Sequence, residues 1–174
     1  MERVEPSEAL ATAIVNLDAD TVKAMLQHSP RLASEVTTRD HESGETMLGF
    51  AITQSAVKGD HTAVSDDQLA IVKALVDAGA GLEVKSPISA DGMFPLGTAA
   101  WLGKLAIVEF LLESGADVDG EPSPTDTALE VAADHRHAAV VERLIQAGAP
   151  YNAKSLAQAG LVERLAELLD NDPE

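Results

Sequence analysis

Residues 91–119 read DGMFPLGTAAWLGKLAIVEFLLESGADVD. Leu96, Ala99 and Ala100 place apolar and small side chains on one face of a short helix, which Gly103 interrupts. Leu105, Val108, Leu111 and Leu112 then recur at i, i+3, i+6 and i+7, the spacing of a second helix with one apolar face. Gly115 stands where a left-handed residue ends a helix. The stretch therefore predicts two short helices and a turn. Neither helix reaches the roughly 12–15 residues that an isolated helix needs in water. The pair must pack on neighbours of its own kind.

Such neighbours are present. KALVDAGAGLEV (73–84), EFLLESGADVDG (109–120) and ERLIQAGAPYNA (142–153) each carry an apolar pair, two variable residues and Gly-Ala. Their glycines, Gly79, Gly115 and Gly148, are 36 and 33 residues apart. Upstream, TMLGFAI (46–52), FPLGTAA (94–100) and TALEVAA (127–133) recur, with Leu48, Leu96 and Leu129 separated by 48 and 33 residues. Two independent landmarks share the 33-residue step, so the chain is a stacked array.

The 91–119 unit resembles the ankyrin repeat, whose usual period is about 33 residues. The match covers Gly92, Pro95, Leu96, Ala99, Ala100, Gly103, Ile107, Val108, Leu111, Leu112, Gly115, Ala116, Asp117 and Val118. Phe94, Gly97 and Lys104 depart from the family pattern, which has Thr, His and His there. The next unit keeps Thr127, Leu129, Ala132, Ala133, His137, Val140, Val141, Leu144, Ile145, Gly148 and Ala149. It has Ala128 for the usual proline and Arg136 for the usual glycine, which predicts some strain in its inter-helix turn. The resemblance implies an all-α solenoid of stacked helix-turn-helix units joined by hairpin loops.

One domain over 1–174 is expected. It divides into an N-terminal cap (1–40), a second repeat (41–88), a third (89–121), a fourth (122–152) and a C-terminal cap (153–174). The second repeat puts 27 residues between Leu48 and Leu75 where the others put 15, so an insertion is expected near 56–67.

The 174-residue composition is 45 % apolar and only 3 % aromatic, with 29 alanines. Small side chains suit close helix packing better than a β-sandwich. Twenty-nine acidic against 12 basic side chains leave a net charge of −17. That argues against nucleic acid and anionic membrane, which both reward Lys and Arg at the contact. There is no cysteine, hence no disulfide and no thiolate nucleophile or ligand. The opening MERVEPSEALATAIVNL has no basic leader and apolar core, and no apolar run approaches bilayer length. A cytoplasmic location is expected.

No motif points to catalysis or a cofactor. GAGLEVKS (79–86) puts Val84 where a phosphate loop needs its second glycine. DVDGE (117–121) has glycine fourth where a calcium loop needs it sixth. His135 and His137, two apart, would not share a face on a helix, and a metal needs three or four ligands. His61, with Asp60, Asp66 and Asp67, sits in the insertion and is the alternative locus for a metal or an active site. No serine lies in a nucleophile setting.

The family resemblance implies a non-catalytic protein-binding module with a groove lined by hairpin tips and first helices. The variable positions carried over are Glu42, Ser43, Glu45, Thr53, Gln54, Ala90, Asp91, Met93, Trp101, Leu102, Ser123, Pro124, Asp126, Asp134 and His135. Trp101, the sole tryptophan, would anchor a partner with Leu102, or else pack against the 56–67 insertion. Between Lys104 and Arg136 stand Glu109, Glu113, Asp117, Asp119, Glu121, Asp126, Glu130 and Asp134 without one basic residue. Such a run either keeps the protein soluble or steers a basic partner. The expectation is a 1:1 complex with a basic protein surface and a role as inhibitor or adaptor, for example an immunity protein against a basic toxin. A self-associating structural unit is a further alternative.

Overall fold

The computed structural model describes residues 5–36, 45–55, 59–84, 93–120 and 127–171. Among them are ten α-helices and no strand. They are α1 (Pro6–Val15), α2 (Ala19–His28), α3 (Met47–Thr53), α4 (Asp66–Asp77), α5 (Pro95–Trp101), α6 (Leu105–Glu113), α7 (Ala128–Asp134), α8 (Ala138–Gln146), α9 (Ala153–Ala159) and α10 (Val162–Asn171). The odd-numbered helices pack on one another in sequence, α1 on α3 through to α7 on α9. The even-numbered helices α2, α4, α6 and α8 form a second layer in the same order. This is the two-layer solenoid that the repeat implies.

Local chemistry fixes the ends. The side chains of Thr46, Thr127 and Asn152 accept from the backbone N–H three residues on and start α3, α7 and α9. Pro95 opens α5 at a position where a missing N–H costs nothing. Gly79, Gly115 and Gly148 end the outer helices at φ of 95°, 92° and 102°. The tight inter-helix turns also need a left-handed residue. Gly103 and Gly160 supply it at 69° and 76°, whereas Arg136 at 61° and Leu17 at 53° occupy it with a Cβ. Between the layers Ala99, Ala100, Ala132 and Ala133 are fully buried beside Ile107, Leu111, Val141 and Leu144. Most of these alanines are contact points between helices.

Three features differ from the sequence expectation. A 3-10 turn at Pro30–Ser34 buries Leu32 and Ala33 where the first unit lacks its Gly-Ala ending. The inserted residues are distributed differently from the expected 56–67 block: the α3–α4 connection is 54–65, against three residues in the later repeats, and α4 begins three residues early. Asp66 and Asp67 are therefore in the first turn of a helix, where carboxylates oppose the positive end of its dipole. Finally, His135 and His137 do not lie within one helix. They flank the left-handed Arg136, ending α7 and preceding α8, and that reversal stacks their rings.

Candidate protein-binding face

The inner helices bury their i and i+3 positions and leave one stripe open. In α5, α7 and α9 that stripe is Gly97 and Trp101, Glu130 and Asp134, Lys154 and Gln158. In α3 the same register falls on Gly49 and Thr53. Two rungs of side chains thus run across the stacked repeats on the face away from the outer layer.

Trp101 is 41 % exposed on this face, a large value for the sole tryptophan. Its Nε1–H donates to His135 Nε2 of the next repeat at 2.8 Å. The rings meet edge to face, with centroids 5.9 Å apart. Leu102 caps α5 and leans on the core instead of standing free. Asp134, exposed, accepts from Gln158 Nε2 of α9. A cavity of about 420 Å³ between Asp134, Arg136, Gln158 and Gly160 continues the face towards the C-terminus. Glu130 keeps one carboxylate oxygen enclosed and without a hydrogen-bond partner. Met93 is half-buried and packs over Gly97, its Cβ 3.7 Å from where a side chain at Gly97 would begin.

Other expected contact residues have structural work. Thr53 Oγ1 and Gln54 Nε2 both donate to the Phe50 carbonyl at the end of α3. Glu45 is a correction: it is expected at an exposed hairpin tip, yet only 7 % of it is exposed. Gly49 has no side chain, and the Glu45 carboxyl folds into that space, 3.4 Å from where a Cβ would sit. Burial pushes the Glu45 carboxyl up to about 7. Glu42, Ser43, Ala90, Asp91, Ser123, Pro124 and Asp126 lie outside the described residues. Of the acidic run, Glu109, Glu113, Asp117, Asp119 and Asp134 are exposed.

A buried polar cluster behind this face was not singled out from the sequence. Gln68 is fully buried, and its Nε2 donates to the carbonyls of Ala51, Ile52 and Gln54 at 2.9, 3.2 and 2.7 Å. Lys104, also fully buried, donates through Nζ to the same Gln54 carbonyl and to Gln68 Oε1 at 3.2 Å. Together they satisfy the carboxyl end of α3, which the long connection deprives of its usual tight turn. The ammonium also faces the negative end of the α3 dipole. Burial pushes Lys104 down to about 8, with the Asp60 carboxylate opposing that shift. The sequence signal was a glutamine on the apolar stripe of Ile71, Val72 and Leu75, together with lysine in place of the family's histidine.

At the alternative locus, Asp60 beside His61 is engaged within its own loop. Asp60 Oδ1 accepts from the Thr62 hydroxyl at 2.7 Å and from the Thr62 and Ala63 N–H groups, and the Thr62 hydroxyl holds this carboxyl below its usual range. Among the described residues no three His, Asp or Glu side chains group to hold a metal ion, and no helix is long and apolar enough to cross a membrane.

The family model for ankyrin repeats, in three copies, matches residues 61–155. The chain belongs to the ankyrin repeat family. It is 35 % identical over 113 residues to the ankyrin repeat and KH domain-containing protein mask of Drosophila melanogaster, covering 64 % of this chain. It is 33 % identical over 113 residues to the human ankyrin repeat and KH domain-containing protein 1, again over 64 % of this chain. The chain spans 2 % and 4 % of the lengths of these relatives. Ankyrin repeats are protein–protein interaction modules, in general without catalysis.

Proposed function

We propose that this ankyrin repeat protein binds a protein partner through its inner-helix face and acts by occupying that partner, as a stoichiometric inhibitor or adaptor. The observation that carries the reading is Trp101: a half-exposed indole, held across two repeats, on the face that the family uses for recognition. Rigid, partly exposed aromatics of this kind dominate binding energy where a partner covers them. The exposed carboxylates of α6, of the hairpin that follows it and of α7 favour a basic surface, since complementary fields raise association rates. An immunity protein that covers the basic active site of a toxin is one form of such an inhibitor.

The test is capture of partners from an extract of the source cells on immobilised protein, with W101A and D134K run in parallel. A 1:1 partner that is lost with W101A, and whose association slows steeply between low and physiological salt, supports the proposal. Undiminished capture by W101A, or association independent of salt, counts against it.

A further inference from the structure

The Trp101–His135 contact fixes a protonation state. An indole N–H only donates, so His135 Nε2, 2.8 Å away, accepts and carries no proton. His135 Nδ1 lies 3.0 Å from the Val131 carbonyl, which only accepts, so the proton sits on that nitrogen. His137 is oriented in the opposite sense. Its Nε2 lies 3.0 Å from the Trp101 carbonyl and therefore donates to it. The two imidazoles stack, with centroids 6.2 Å apart and planes 15° from parallel.

We infer that His135 is a positioning residue, holding the Trp101 indole in its presented orientation while neutral and releasing it when protonated. A proton on Nε2 would set donor against donor and remove the bond. The same event at His137 leaves its bond to the Trp101 carbonyl intact, because that nitrogen donates already. One turn thus holds two histidines with opposite responses to acid. The charged neighbours of His135 are Asp134 and Arg136 along the chain, with the His137 ring stacked on it. Helix α5 brings no charged residue, α8 begins with Ala138 and Ala139, and α9 brings Gln158, which engages Asp134, and Lys154 one turn earlier. The functional consequence rests on Trp101 being the partner anchor: a partner seated there is held while His135 is neutral and loosened when it is protonated.

The sole tryptophan gives one indole N–H signal in nitrogen-15 NMR, so the free protein suffices for the test. H135A removes the acceptor, and H135N offers its amide in place of Nδ1. H135Q places a carbonyl oxygen where Nε2 lies and restores the acceptor. At fixed pH, H135A and H135N are expected to speed indole N–H exchange about fivefold, the equivalent of one net hydrogen bond, while H135Q stays near wild type. Acidification moves the indole shift of the wild type further than that of H135Q, which lacks the imidazole. Exchange in H135A within about twofold of wild type, or an H135Q shift that tracks the wild type, overturns the inference. Partner capture by W101A judges the anchor reading separately, because the indole signal of the free protein does not depend on any partner.

Discussion

Gln68→Leu is the sharpest perturbation the structure offers. It keeps the side chain near the same volume and removes the donor that serves the Ala51, Ile52 and Gln54 carbonyls. Gln54 retains Lys104, so two buried acceptors are left without it, and the Lys104 ammonium loses its contact with Gln68 Oε1. Each stranded acceptor costs about 1–3 kcal/mol, offset in part by the apolar gain of leucine, which sets the expected loss at about 2–4 kcal/mol. Against a total of about 5–15 kcal/mol for a domain, that is a large fraction. Urea unfolding at pH 7, where Lys104 is still mainly charged, measures it. In the cycle with Lys104→Met, the double variant removes the buried ammonium, which lowers the combined loss, and strands the Gln54 carbonyl that each single variant leaves with one donor, which raises it. A Q68L loss below about 1 kcal/mol would refute the reasoning.

The other predictions concern single sites. Glu45 binds a proton in the folded state up to about pH 7, against 4.5 for an ordinary glutamate, so its contribution weakens stability as pH rises from 4.5 to 7. Glu45→Gln should therefore add about 1–2 kcal/mol at pH 8, after allowance for solvent screening, and much less near pH 4.5; equal gains at both would refute it. Lys104 has the opposite slope: the folded state holds fewer protons between about 8 and 10.5, so its burial penalty is complete below 8 and fades towards 10.5. In thermal melts the wild type should therefore gain stability relative to Lys104→Met as pH rises from about 8 to 10.5, with a constant difference below 8; a relative loss across that window would refute it. The atoms nearest a Cβ at Gly97 belong to Met93, at 3.7 Å and beyond, which is ordinary contact, so Gly97→Ala should stabilise α5 by about 0.5–1 kcal/mol in urea titrations. Arg136→Gly should cost nothing or stabilise by up to about 1 kcal/mol, since it relieves a side chain at φ 61°; a clear loss would assign Arg136 a contact of its own.

The fold was legible because the repeat states it more than once. Gly115 and Gly148 mark helix ends that a single copy would leave ambiguous, and the Leu96–Leu129 step repeats the same 33-residue period. The strain expected at Arg136 is present as a positive φ for the same reason, since position in the repeat dictates backbone conformation. Contacts made by side chains at variable positions were less legible. Gln68 and Lys104 are 36 residues apart, as Gly79 and Gly115 are, and hold equivalent positions, but nothing in the pattern says that their side chains bond, and the family register gives no warning that Gly49 draws Glu45 inward. His135 and His137 were judged by helical spacing, which failed because a left-handed residue stands between them. On the inner-helix face, the exposure of Trp101 was legible from its register, and its hydrogen-bond acceptor His135 was not.

The Lys104 tie also bears on how the array behaves as separable parts. Repeat proteins usually tolerate excision or exchange of a unit, because each interface is a similar apolar sandwich. Here the third unit donates a charged group that completes the end of a helix in the second. Shortening the protein from its carboxyl end is then graded only as far as α7. One step further, removing α5 and α6 would take Lys104 from the Gln54 carbonyl and from Gln68 Oε1. A buried charged side chain thus ties the second unit to the third, and a graft, truncation or consensus replacement that parts them has to supply another donor for the Gln54 carbonyl.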